Sequence, residues 1–246
     1  MWMSVVLVLL PITLGTGWQL PQASLANRCA ACHLRLAWTQ SATTHVDQWV
    51  TSRHAFYRVG CEKCHGGDAT TSDEAVAHRG VVKSADPSSA VHRMALHSTC
   101  GRCHASEASA FARSTHQGLL LRGDGVAPTC TSCHSSMAAD VPSPAALESQ
   151  CLYCHHDDRR DRAHIARRQL EDVKRLRTTL SRVKLEIAAI REPDRRTSLT
   201  TQWTAADASI RAVVAGIHAF DLVSAQERLR DSNGQTERLV AELARR

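Results

Sequence analysis

Cys61-Glu62-Lys63-Cys64-His65 is one of five copies of a single pattern, C-x-x-C-H. The others are Cys29-Ala30-Ala31-Cys32-His33, Cys100-Gly101-Arg102-Cys103-His104, Cys130-Thr131-Ser132-Cys133-His134 and Cys151-Leu152-Tyr153-Cys154-His155. This spacing is the attachment signature of c-type haem. Two intervening residues let both thiols reach one edge of a porphyrin, where they add across its vinyl groups. The His that follows lies beneath the ring and takes the iron. A cysteine pair alone would equally suit a zinc site, a redox dithiol or half of a disulfide framework. Here all 10 cysteines fall within the five motifs, and His follows every second Cys. The pattern predicts five haem c groups, with His33, His65, His104, His134 and His155 as proximal iron ligands.

Composition agrees with a chain that folds around cofactors. The first 26 residues carry no charged side chain, and Val5 to Leu10 is an unbroken apolar run followed by Ser24 and Ala26. This reads as a secretory signal peptide over 1–26, with an uncleaved N-terminal anchor as the alternative, since the leader lacks the usual initial Lys or Arg. Either form implies export to the periplasm or beyond, where covalent haem attachment takes place. Aromatic residues make up only 4% of the chain, so the stretch between the motifs cannot build a sizeable side-chain core. Haems supply that filling, and their thioether bonds act as staples. The formal charge of +6 is offset by the haem propionates, which removes the case for a nucleic-acid partner.

The motifs begin at 29, 61, 100, 130 and 151, too close together for independent domains. Loops and short helices wrapping a contiguous haem stack are expected over 27–156, with no sheet. An internal repeat lies within this region. Trp49-x-x-Ser52-x-His54 precedes the second motif and Phe111-x-x-Ser114-x-His116 precedes the fourth, each read as a helical turn that packs an aromatic on a porphyrin and presents a His. From 157 to 246 the composition changes. Val173, Leu176, Leu180, Val183, Ile187 and Ile190 form a heptad-like seam. Glu192-Pro193-Asp194 ends it. Leu199, Trp203, Ala206, Ile210, Val213, Ile217 and Phe220 form a second seam, and a third amphipathic stretch runs from Leu222 to Leu243 with a disturbance near Asn233-Gly234. These predict antiparallel helices packing on the haems; self-association through the seams, giving a homo-oligomer, is the alternative.

Of 14 His, nine lie outside the motifs, enough to close every iron from its second face. His54 and His116 lead as distal ligands because of the repeat, followed by His78 in Ala77-His78-Arg79-Gly80. His218 sits beside an apolar seam, where a packed histidine is the competing reading. For the fifth iron the choice falls on His164, with His45, His92 and His97 as competitors. His156 reads as a surface residue, and Met137 as a less favoured thioether ligand.

These residues resemble the multihaem cytochromes c related to ammonia-forming nitrite reductase and hydroxylamine oxidoreductase, especially their small electron-carrier relatives. The resemblance rests on Trp49-x-x-Ser52-x-His54-Ala55, Cys61-x-x-Cys64-His65-Gly66-Gly67, Ala77-His78-Arg79-Gly80, Cys100-Gly101-x-Cys103-His104 with Ser114-x-His116, and Gly216-Ile217-His218. It implies that His54, His116 and His218 are distal haem ligands and that long C-terminal helices lie beside the haem stack. Ala219 stands where that family usually has Asn, and the fourth motif continues as His134-Ser-Ser-Met137 where relatives often carry another His. No C-x-x-C-K occurs, and no tyrosine is marked for cross-linking to a porphyrin. The resemblance therefore implies a carrier and neither named enzyme.

The sequence leads to a mainly α, haem-stacked protein with C-terminal antiparallel helices. The expected function is electron transfer along closely packed, mostly bis-His haems, between a quinol dehydrogenase or another cytochrome and a terminal reductase or extracellular acceptor. Two rivals stand beside it. One is a reductase of nitrite, hydroxylamine or a sulfur oxyanion with one open haem, using Arg79, Arg93 or Arg113 as anion clamps. The other is a subunit of a polymeric cytochrome filament.

Overall fold

The computed structural model describes residues 27–37, 45–157 and 159–245, and at Ala37 and His45 the backbone alone. The expected leader over 1–26 lies outside them. Thirteen helices and no strand occur among the described residues, so the mainly α expectation holds. In chain order the first ten are α1 (Arg28–Ala37), α2 (His45–Val50), α3 (Arg53–Phe56), α4 (Glu62–His65), α5 (Glu74–Ala77), α6 (Leu96–Gly101), α7 (Ala105–Ala112), α8 (Thr115–Leu121), α9 (Cys130–His134) and α10 (Pro144–Cys154). All are short. Three long helices follow: α11 (Arg160–Ala188), α12 (Pro193–Ile217) and α13 (Leu222–Ala244).

The two halves are held by different means. The long helices pack mutually through Val173, Leu176, Leu180, Val183 and Ile187 of α11, Leu199, Ala206, Ile210 and Val213 of α12, and Leu229 and Leu239 of α13. These are the seam positions the 3-and-4 spacing marks. Glu192 ends one helix by starting the next: its side chain accepts from the backbone N–H of Asp194 and Arg195, with Pro193 in the first turn. Connections this short oblige successive packed helices to run antiparallel.

The disturbance expected near Asn233-Gly234 is absent, and α13 runs unbroken. Packing overrides the weak local propensity there. The buried Ser232 hydroxyl meets that of Ser209 on α12 at 2.7 Å, and Thr236 is buried one turn on.

Over 27–157 the apolar core is small. One cluster holds Ala30, Val46, Trp49, Val50 and Ala55, with Leu34, Cys61 and Met137 packed against it.

The sequence repeat is a repeated structure. Ser52 and Ser114 both adopt extended backbone (φ −76°, ψ 161° and φ −77°, ψ 155°) and cap a helix, accepting from the N–H of Ala55 and Gln117 respectively. Trp49 and Phe111 are buried on the preceding helices, α2 and α7. His54 and His116 each occupy the second residue of the capped helix. Removing the cap by Ser114→Ala is expected to cost about 1 kcal/mol. Chemical denaturation read by helical circular dichroism checks this, since an unchanged midpoint would mean that haem packing alone sets His116.

Candidate haem-binding site

Each C-x-x-C-H motif closes a helical turn. The backbone N–H of His65, His104 and His155 donates to the carbonyl of the first cysteine of its motif at 2.8–2.9 Å. One helical turn brings residues three apart onto one face, so both thiols of a motif point the same way.

The motifs also adjoin one another in sequence order. Cys61 lies within electrostatic reach of Cys29, Cys64 of Cys100 and Cys103, and Cys133 of Cys151. The Cys100 thiol donates a hydrogen bond to the Cys130 sulfur. Burial, then the Cys29 and Glu62 charges, push Cys61 up to about 12. Burial and Cys151 take Cys133 up to about 11. The bond between Cys100 and Cys130 raises the donor and lowers the acceptor to about 7. The ten cysteines are free thiols and none is paired as a disulfide.

The histidines show a stricter pattern. His33 faces His78 with ring centroids 5.9 Å apart, His104 faces His54 at 6.1 Å, His155 faces His116 at 5.9 Å, and His134 faces His218 at 6.1 Å. Every one of these contacts joins a motif histidine to a histidine outside the motifs. Metal–imidazole bonds of about 2 Å, with about 1.1 Å from each nitrogen to its ring centre, place two axial rings roughly 6.2 Å apart. The gap in each pair is therefore that of one metal ion.

Hydrogen bonds orient several of these rings. The Nδ1 atoms of His78 and His218 bond the carbonyls of Glu74 and Val214 one turn back, at 2.8 and 2.7 Å, and His134 Nδ1 bonds that of Asp140 at 2.8 Å. With Nδ1–H as donor, Nε2 is left as the metal-binding atom. His116 Nδ1 is buried with no hydrogen-bond partner in the protein. Burial, before any neighbouring charge, lowers the pKa of His54, His65, His116 and His218 and favours the neutral imidazole that a metal requires.

Among the described residues no three His, Cys, Asp or Glu side chains converge as a metal cluster. Paired imidazoles suit a metal whose other four ligands come from a macrocycle, and they suit zinc poorly. The residues present fit haem.

Distant elements supply the distal rings. His54 and His116 come from the repeated capped turns, and each serves the motif two further along the chain: the turn after the first motif meets the third, and the turn after the third meets the fifth. His78 folds back from beyond the second motif to the first. His218 caps α12, which packs along α7, and so reaches the fourth motif from the C-terminal bundle.

Two residues later Phe220 has φ 57°, a left-handed backbone costly for a bulky residue. Its ring packs edge-on to His116 at 4.3 Å and lies 6.4 Å from Phe111. One strained turn thus serves two pairs, carrying His218 to His134 and bracing His116. The non-glycine positive φ had no signal in the sequence, although Phe220 was visible as the last seam residue.

His164 is not brought to any motif histidine. Its Nδ1 bonds Glu148 at 2.5 Å, and Glu148 also takes Arg167 at 2.7 Å, which ties α10 to α11. A carboxylate beside it offers a stronger partner than a distant iron, so the reading of His164 as fifth distal ligand is corrected. His92 Nδ1 accepts from the Met94 N–H, His97 Nε2 meets the Ser98 hydroxyl, and His156 pairs with Asp157. Of the expected anion clamps, Arg93 donates to the carbonyls of Asp124 and Ala127, and Arg113 to Ser109. No helix among the described residues is long and apolar enough to cross a membrane. Compared with protein-family models, curated proteins and solved structures, the chain matches none.

Proposed function

We propose that this protein is an exported pentahaem c-type cytochrome that carries electrons. The observation that supports this best is the pairing of four motif histidines, each with one non-motif histidine at 5.9–6.1 Å. Bound haem supplies a one-electron iron couple. The chain's own residues do the rest. Cysteine pairs on single helical turns hold each macrocycle by its edge. Carbonyl-tethered imidazoles present Nε2 from both faces, which saturates the metal and favours low potentials over those of His/Met ligation. The row of neighbouring thiols, from Cys29 through Cys151, sets successive haem edges side by side, as short transfer steps require.

Electrons would pass between a quinol dehydrogenase or another cytochrome and a terminal reductase or extracellular acceptor, through small transient contacts. The reductase reading needs an open iron, and the sole place for one among the described motif histidines is His65, which no described imidazole faces. The filament reading has no specific observation in its favour.

The test is expression in a host that matures c-type haem, with the pyridine haemochrome and intact mass read on the product. Five covalent haems per chain are expected. A zinc-loaded or disulfide-linked product without haem would refute the proposal.

A further inference from the structure

His65 is the one motif histidine without a facing imidazole among the described side chains, so its iron's second ligand must be sought elsewhere. Four of the spare histidines are placed at other iron positions: His54, His78, His116 and His218. Four more face no motif histidine and are engaged locally: His92 with Met94, His97 with Ser98, His156 with Asp157 and His164 with Glu148. Of the fourteen, His45 alone remains.

Position favours His45 independently of this elimination. It is the first residue of α2, exactly one i to i+4 step before Trp49 and so about 40° from it around the helix. Trp49 points to the second motif. It packs in the apolar cluster against which Cys61 lies, and its indole N–H donates to the carbonyl of Val59 at 3.0 Å, two residues before Cys61.

The repeat supplies a third argument. Four residues before the aromatic, the second unit has Glu107 where the first has His45. Glu107 lies within electrostatic reach of His104 and of His218, and His218 is the distal ring of the fourth motif, which follows that unit. The matching position in the first unit belongs beside the distal face of the second motif, which follows it. There the C-terminal bundle provides no described histidine, and the unit carries one of its own.

We infer that His45 is the second axial ligand of the iron held by Cys61, Cys64 and His65, so that all five irons are closed by two histidines. This inference rests on the haem reading above, and it turns a mostly saturated carrier into a fully saturated one with no site for a substrate at iron.

The experiment uses the full-length haem-loaded protein and two measurements: haem content by pyridine haemochrome, and spin state by low-temperature EPR with the CO difference spectrum of the reduced form. The unsubstituted protein is expected to hold five haems, all low-spin, and to show no CO shift. His45→Ala is expected to keep five haems, turn one in five high-spin and take up one CO per chain. His45→Gly with added imidazole should return that haem to low spin. His45→Met, which retains an axial ligand if alanine impairs maturation, should raise one of the five midpoint potentials.

A high-spin, CO-binding haem already present without substitution and unchanged by His45→Ala would overturn the inference and make the second haem a ligand-binding site. It would equally fail if His45→Ala stayed wholly low-spin while Met137→Leu or His97→Ala opened one haem. Fewer than five haems in the unsubstituted protein would instead sink the pentahaem reading, so the two failures are distinct.

Discussion

His116→Ala converts one haem in five to a high-spin, CO-binding form while the haem content stays at five. Cys151, Cys154 and His155 hold that macrocycle from one edge and one face, so losing the opposite imidazole opens a coordination position without releasing the group. His116 is buried, its Nδ1 has no protein partner, and its ring lies 5.9 Å from that of His155. Phe220 packs on it edge-on and keeps the vacated space enclosed, which suits a diatomic ligand or added imidazole. His164→Ala separates this account from the reading of the sequence alone. With His164 bonded to Glu148, its removal should leave every haem low-spin and loosen only the contact between α10 and α11. EPR of the two variants side by side decides the matter: an unchanged His116→Ala spectrum, or a high-spin His164→Ala, would refute the pairing.

The second large effect concerns the chain without haem. Produced where haem is not attached, it should present a protease-resistant fragment near residues 160–244 and lose the region 27–157 quickly. The three long helices carry a protein-only core of large aliphatic side chains, among them Leu176, Leu180, Ile187, Leu199 and Ile210. Burial of this kind stabilises each by about 1.5–3 kcal/mol.

Over 27–157 the buried apolar set is small and rich in alanine: Ala30, Ala55, Ala110 and Ala127 beside Trp49, Phe111, Leu120 and a few valines. Ordering each residue's backbone costs roughly 1–2 kcal/mol, and this core cannot meet that over so long a stretch of loops and short helices. Tyr153, inside the fifth motif, is 86% exposed, and Phe56 beside His54 is 72% exposed, as expected for surfaces that a macrocycle would cover. Limited proteolysis with mass spectrometry reads the outcome. Survival of 27–157 without haem would mean that the protein core suffices, and would weaken the cofactor reading.

Much of this architecture is written locally. C-x-x-C-H requires only a helical turn, the seams of α11 and α12 are periodic, and the serine caps act within three residues, so each could be read from neighbours in sequence. The repeat was legible for the same reason, because Trp49 and Phe111 stand at one distance from Ser52 and Ser114 and at another from His54 and His116. Gly234 misled because its propensity is a small term beside the packing of Ser232 and Thr236 against α12.

The pairing of histidines is of another kind. His134 and His218 are brought together only when α12 docks on α7, and no local rule relates them. His164 had the right residue type and an equally plausible position, yet the fold places a carboxylate beside it. The sequence by itself determined the five attachment turns, the supply of imidazoles and the helical C-terminus, since these depend on contacts within a few residues. Only the tertiary structure decided which imidazole faces which motif, because that depends on how separately formed helices dock, and docking is settled by packing between residues far apart in the chain.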